Sequence, residues 1–129
     1  MDNALTPLQT LKARLAGIPG VVTCRIGLEV AIAPEDYPII RLVPSRINTS
    51  EAGRRKLDLL IYFGAPILAG ESDDGDMEAV YAALFDLESA IIGQLGKGDG
   101  WRAKYLETIT DEDRLTTYKL MAVRCAVEG

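Results

Sequence analysis

The stretch LDLLIYFGA, residues 57–65, decides the fold because its alternation predicts a β-strand with two different faces. Side chains of a strand point alternately to opposite sides of the sheet. One side carries Leu, Leu, Ile and Phe and is predicted to lie against the core. The other side begins with Asp58 and becomes apolar through Leu60 and Tyr62. A sheet with one face in water alternates more cleanly, so we expect this second face to be covered by more of the chain, a ligand or another subunit.

The end of the chain repeats this pattern. Residues 114–127 are predicted to form a long final strand, one face of which is uniformly apolar. The opposite face is mixed and carries Tyr118, Leu120 and Arg124. If the two strands pair, their mixed faces form one surface, whose members are Asp58, Leu60, Tyr62, Tyr118, Leu120 and Arg124.

Periodicity predicts the other elements of the fold. Apolar residues at helical spacing indicate a short helix that begins near Thr6 and ends at Gly17, and a long helix over 77–95. Alternating or continuous apolar runs predict the strands, at 21–26, 39–43, 57–63, 101–110 and 114–127. This order predicts a single α+β domain over residues 1–129, with a mostly antiparallel sheet of about four to five strands and two helices packed on one face.

A polar, basic segment, PSRINTSEAGRRK at residues 44–56, separates two predicted strands. It is rich in turn formers and shows no clear period, so we predict a long mobile loop. Its cations are Arg46, Arg54, Arg55 and Lys56. They are expected to be solvated, to contact an acidic subunit surface, or to contact the phosphates of passing DNA without reading its sequence.

Length and composition favour one soluble globular domain. The chain has 129 residues, of which 48% are hydrophobic and 26% charged. The net charge of −5 argues against general nucleic-acid binding, which needs a basic domain, but it does not forbid a local basic loop. Residues 1–69 hold eight Lys/Arg and six Asp/Glu, whereas residues 70–129 hold six and thirteen, which favours head-to-tail association of copies. The beginning of the sequence lacks the features of a signal peptide, so we expect assembly in the cytoplasm.

The residue types needed for most catalytic and metal sites are missing. The sequence has no histidine and no phosphate-binding glycine motif, and its two cysteines are predicted to be buried thiols. The acidic stretches at 72–76 and 111–113 are predicted to be a solvated loop and a hairpin turn. Asp58 and Glu107 are isolated acids, which are usually surface charges. We therefore predict no enzyme, metal or cofactor. Trp101 is predicted to anchor the sheet edge, with an interface role as the alternative.

The order of the segments resembles a known family. A short helix ending in LAGIPGVVTCRI precedes the strand PIIRLVPSRI, and a polar loop then leads to RRKLDLLIYFGAP. The long helix MEAVYAALFDLESAIIGQL and the closing hairpin YLETITDEDRLTTYKLMAVRCAVE follow. Over nearly the whole chain, this pattern resembles the tail-terminator, or tail-completion, proteins of long-tailed bacteriophages and prophages.

The resemblance implies a structural protein of the virion tail that is assembled in the bacterial cytoplasm. Such a protein forms a ring of identical subunits, typically a hexamer, that caps the tail tube and presents a surface to the head–tail connector protein. DNA passes through the lumen of the ring. The mixed surface, with Asp58, Leu60, Tyr62, Tyr118, Leu120 and Arg124, would then be a subunit interface. Arg46, Arg54, Arg55 and Lys56 would face the tube or the DNA.

Two alternatives stay open. Head–tail connector, or neck, proteins share much of the same layout, so the chain also resembles them. A small-molecule or peptide-binding module is the second alternative, with its ligand on the mixed sheet face beneath Tyr62 and Tyr118.

Overall fold

A computed structural model describes residues 3–29, 31–67, 77–110 and 118–129, except for the side chain of Tyr118. The acidic stretches predicted as a loop at 72–76 and a turn at 111–113 lie outside these residues. Within them the chain forms two α-helices and six β-strands. Their bounds are α1 (Leu5–Ala16), β1 (Thr23–Ile26), β2 (Ile39–Thr49), β3 (Arg55–Pro66), α2 (Met77–Gln94), β4 (Lys97–Gly98), β5 (Trp101–Ile109) and β6 (Tyr118–Glu128).

The described strands form one mixed sheet in the order β1-β2-β3-β6-β5-β4, which confirms the α+β class. The prediction of four to five strands was wrong because β4, Lys97–Gly98, is too short to show any period. The remaining departure from the prediction is β1, which pairs with β2 in parallel, while the other neighbouring strands are antiparallel. The parallel pair requires a connection that crosses the sheet, and residues 27–38 provide it.

Both helices contribute to one hydrophobic core on a single face of the sheet. Helix α1 supplies Leu8, Leu11 and Leu15, which recur at helical spacing. Helix α2 and the facing strands complete this core with apolar side chains that are almost fully buried, among them Leu57, Leu59, Ile61, Phe63, Leu84, Ile91, Val123 and Val127. Each large apolar side chain that is fully buried contributes about 1.5–3 kcal/mol relative to exposure, so this face fixes the register of β3 and β6.

The β2–β3 hairpin corrects the predicted loop at 44–56. Strand β2 continues to Thr49 and β3 begins at Arg55, so only residues 50–54 form the turn. The turn is closed by the Ser50 amide, which donates to the Arg54 carbonyl at 2.7 Å, and by the Arg54 amide, which donates to the Ser50 hydroxyl at 3.2 Å. Residues 44–49 are exposed. A strand wetted on both faces lacks apolar alternation, and for that reason the sequence pattern indicated a loop.

The short hairpin of β4 and β5 places Trp101 in the core. The indole ring crosses Gly98, its partner on the neighbouring strand, where any Cβ would overlap the ring. The Arg14 guanidinium lies 5.4 Å from the ring centre and donates a hydrogen bond to the Lys97 carbonyl at 2.6 Å. Because only 5% of Trp101 is exposed, these contacts favour the predicted anchoring role over the interface role.

Candidate functional site

The side of the sheet opposite the helices is called the second face, and strand register shows which residues share it. Strands β3 and β6 pair with each other, with Leu60 opposite Arg124 and Gly64 opposite Leu120. Asp58 and Tyr62 lie opposite alanines of β6. The register therefore brings together five of the six predicted interface residues, and all five are half-buried. The sixth, Tyr118, pairs through its backbone with Pro66, while its side chain is not described.

The crossing segment, which the structure describes at residues 27–29 and 31–38, covers one end of the second face. Its Glu29 carboxylate accepts two hydrogen bonds from Arg41 of β2, from Nε at 2.7 Å and from Nη2 at 3.0 Å. Nη1 of Arg41 donates to the carbonyls of Thr23 and Ile40 at 3.2 and 2.8 Å. Arg41 is completely buried, whereas 32% of the Glu29 side chain is exposed. These hydrogen bonds hold the pKa of Glu29 below its usual value, so this ion pair ties the segment to the sheet.

Tyr37 extends this cover toward β6. The position that a Cβ on Gly64 would take lies 2.7 Å from Leu120 Cδ2 and 3.0 Å from Tyr37 Cε2. A glycine is therefore required for the Tyr37 ring and the Leu120 side chain to approach β3 closely. Part of the second face is thus covered by the chain itself, which is one of the three kinds of cover that the sequence left open.

The rest of the second face is left open by the described residues. We define the open patch as Asp58, Leu60, Tyr62, Leu120 and Arg124, which are partly accessible. Its two charged members each form an ion pair: Arg124 with Glu107 at 3.2 Å and Asp58 with Lys56 at 3.7 Å. The patch therefore has an apolar centre flanked by two paired charges.

The predicted basic residues divide between two locations. Arg46 lies opposite Asp58 in the β2–β3 ladder, and Lys56 pairs with Asp58. Arg54 lies at the turn and lines a depression together with Arg102 and Lys104 of β5. Arg55 begins β3, and its carbonyl accepts a hydrogen bond from the amide of Gly129. Sequence reasoning missed Arg102 and Lys104, although the alternation in WRAK, residues 101–104, signals that both leave the core face.

The structure shows the surroundings of the two isolated acids and of the two cysteines. Asp58 and Glu107, the two isolated acids, each pair with a cation. Burial raises the pKa of the Cys125 thiol to about 12 and also raises the pKa of Cys24, so thiolate is scarce at neutral pH. Both cysteines are free, and β2 and β3 separate their strands by about 14 Å. The described residues contain no cluster of His, Cys, Asp or Glu that could hold a metal ion.

Two stretches of sheet edge are not paired by any described strand. Strand β1 pairs only with residues 39–42, so the outer half of β2 has a free edge. Strand β4 pairs only with Trp101 and Arg102, which leaves most of β5 free. Pro44 and an adjacent irregularity interrupt the β2 edge, a feature that limits uncontrolled pairing. Large apolar side chains are exposed near both edges, namely Ile47, Tyr105 and Leu106.

An apolar groove lies on the helix side, away from the open patch. It has a volume of about 320 Å³ and runs between the turn after α1 and helix α2. Its lining is mostly small and apolar, with Asp86 as its one charged residue: Ile18, Pro19, Gly20, Val21, Pro38, Ala65, Ala83, Asp86, Leu87 and Ala90. The predicted ligand site beneath Tyr62 and Tyr118 is a different location.

No helix within the described ranges is long and apolar enough to cross a membrane. The chain matches no model of a known protein family. A comparison with curated proteins likewise gives no match.

Proposed function

We propose that this chain is a structural subunit that assembles into a ring, in the manner of the tail-terminator proteins that its sequence resembles. The ring caps the tail tube on one side and receives the head–tail connector protein on the other. A connector protein of the same layout is the nearest alternative. The order of helices and strands is compatible with either role, and both act through assembly rather than catalysis.

The observation that carries this proposal is the open patch beside a self-covered region. The crossing segment buries Arg41 and reaches Leu120 through Tyr37, but it leaves Leu60 and Arg124 partly accessible. An apolar residue beside an arginine, bordered by ion pairs, is a composition typical of protein interfaces. We infer that a neighbouring subunit covers the open patch.

The two free edges support a head-to-tail arrangement of subunits. One edge is formed by the outer half of β2 and the other by β5, at different places on the same sheet. Contacts between two different surfaces of identical subunits close into rings when the rotation permits. The exposed Ile47 on one edge and Leu106 on the other provide apolar contacts for such an interface.

We predict that Leu60→Glu weakens self-association at least tenfold while the monomer stays folded. The new carboxylate would be desolvated in the subunit contact and would add to the negative charge of Asp58. The nearby cations, Lys56 and Arg124, already pair with Asp58 and Glu107. In the monomer Leu60 is only half-buried, so the charge can reach water. Sedimentation velocity over a concentration series measures the association, and circular dichroism checks the fold. Leu120→Glu is expected to act in the same direction.

Leu5→Glu is the matched control for this experiment. Leu5 is also a partly exposed leucine, but it begins α1, where a negative charge suits the helix dipole. Its association should equal that of the wild type. Equal association of the Leu60→Glu and Leu5→Glu variants would remove the open patch from the proposed interface.

The groove between α1 and α2 favours a second candidate function, binding of a small apolar molecule or peptide. Its volume of about 320 Å³ lies at the lower end of the range for ligand pockets. A ligand that raised the melting temperature of the wild type but not of Ala83→Trp, in which the groove is filled, would support this candidate.

A further inference from the structure

Two adjoining depressions near the β2–β3 turn are lined by an excess of cations. The first has a volume of about 280 Å³ and the second about 330 Å³. Both include Arg54, Arg102 and Glu128 in their walls, while Lys104 lines the first and Lys97 the second. We call these four cations, Arg54, Lys97, Arg102 and Lys104, the basic cluster.

Strand register explains why the cluster forms although its members are far apart in sequence. Arg102 lies opposite Glu128, and Lys104 lies opposite Ala126, in the ladder between β5 and β6. On the other side of β6, Glu128 lies opposite Lys56 of β3, just after the turn that carries Arg54. The small Ala126 side chain leaves space between the longer side chains around it, and this space is the first depression.

Within the described part of the chain, the charges of the basic cluster are not balanced. No cluster member has a carboxylate oxygen within 4.0 Å among the described residues. The depressions thus combine four cations with one acidic side chain, Glu128, in a chain whose net charge is −5. Neighbouring cations repel one another, and an anion placed between them relieves this repulsion.

We propose that the basic cluster binds the phosphodiester backbone of nucleic acid, without reading the base sequence. Guanidinium groups present paired donors that match phosphate oxygens, and lysines add mobile charge. Two adjoining depressions with shared walls suit successive phosphates better than a single small anion. An acidic protein partner is less favoured because the apolar side chains in the walls are only the small Ala126 and the buried Trp101, whereas protein interfaces centre on large apolar anchors that the partner can reach.

This inference rests on the proposed function only for its setting, in which DNA passes through the lumen of a ring. The charges and the register that carry it belong to a single chain. Binding of DNA by a monomer would therefore support the basic cluster even if no ring formed. Conversely, a ring that bound no DNA would overturn the cluster assignment and leave the ring proposal intact.

The test is fluorescence anisotropy with a labelled double-stranded DNA of about 25 base pairs at low salt. We expect a dissociation constant on the order of 10⁻⁵ M at physiological salt, which is lower at low salt and the same for unrelated sequences. With four phosphate contacts, the logarithm of the association constant should fall with the logarithm of salt concentration with a slope of about −3.6. Replacing both Arg102 and Lys104 by glutamine should reduce the slope by about half and weaken binding at least tenfold.

Two comparisons separate the cluster from a general effect of charge. The first sets the double variant of Arg102 and Lys104 against Lys12→Gln, and the second sets Glu128→Gln against Glu35→Gln. Lys12→Gln removes an exposed cation on α1, and its binding should stay within about twofold of wild type. Glu128→Gln should tighten binding several-fold because it removes the one acidic side chain in the walls of the depressions, whereas Glu35→Gln, on the crossing segment, should not. Equal effects within each pair would overturn the assignment. Absence of DNA binding at low salt, or capture by poly-glutamate without any DNA binding, would also overturn it. Sedimentation of the same samples reports separately whether rings form.

Discussion

Replacing Glu29 by glutamine is expected to lower the free energy of unfolding by about 3 kcal/mol. The change leaves the Arg41 guanidinium buried with carbonyl oxygens as its remaining acceptors. Removing one partner of a buried ion pair typically costs about 3–5 kcal/mol because the other charge stays desolvated. The lower end applies here, since the Glu29 side chain is about one-third exposed. Urea unfolding followed by circular dichroism measures the difference.

The matched control is Arg25→Gln. Arg25 also pairs with Glu29, at 3.4 Å, but 63% of its side chain is exposed. Exposed pairs contribute at most about 1 kcal/mol, so this variant should be close to wild type. If Glu29→Gln lowered the free energy of unfolding as little as Arg25→Gln does, the ion pair with Arg41 would not hold the crossing segment on the sheet.

Acidification tests the same ion pair. The pKa of Glu29 is lowered in the folded protein from its usual value of 4.5, chiefly by the hydrogen bonds from Arg41. As the pH falls below about 4.5, the unfolded chain takes up this proton before the folded protein does. The contribution of the pair is therefore present above that pH and is lost as the pH falls through the folded pKa. The stability difference between wild type and Glu29→Gln should shrink over this acidic range.

Replacing Gly98 by alanine is expected to lower the free energy of unfolding by about 3 kcal/mol. The added methyl group would overlap the Trp101 ring, which is held in the core and stacked near Arg14. Inserting a methyl group into a packed site costs about 1–3 kcal/mol, and displacement of a large buried ring places this case at the upper end. Because Trp101 is the sole tryptophan, its fluorescence should also shift to longer wavelength.

Gly93→Ala is the control for this substitution. Gly93 lies near the end of α2, and a Cβ there would meet no atom within 4 Å. Alanine favours the helix, so stability should stay the same or rise by up to about 1 kcal/mol. A Gly98→Ala variant with unchanged stability and emission would contradict the packing of Trp101 across β4.

The parts of the fold that the sequence predicts are those with a strong period. Apolar alternation in residues 57–63 and helical spacing in residues 77–95 are imposed by one deep core, so the pattern and the structure agree there. The sequence also predicts the mixed second face, because Asp58 and Leu60 break the regular alternation of polar and apolar residues. In these elements the local pattern and the tertiary environment require the same residues.

The parts of the fold that the sequence did not predict depend on contacts between residues that are far apart in sequence. The ion pair of Glu29 and Arg41 joins an irregular segment to a strand, and only a lone arginine within the apolar run IIRLV hints at it. The outer half of β2 is stabilised by pairing with β3 rather than by burial, so it carries no apolar signal. The meeting of Arg54 with Arg102 and Lys104 follows from the order of strands in the sheet, which single-strand patterns do not encode.

In the proposed ring, a neighbouring subunit covers the open patch. Light scattering across a concentration series, with and without tail tubes, tests it most directly. We predict a discrete ring of several copies of the 14.0 kDa chain, with six as the number that the family resemblance implies. A mass of one chain at every concentration, both alone and in the presence of tubes, would contradict the claim.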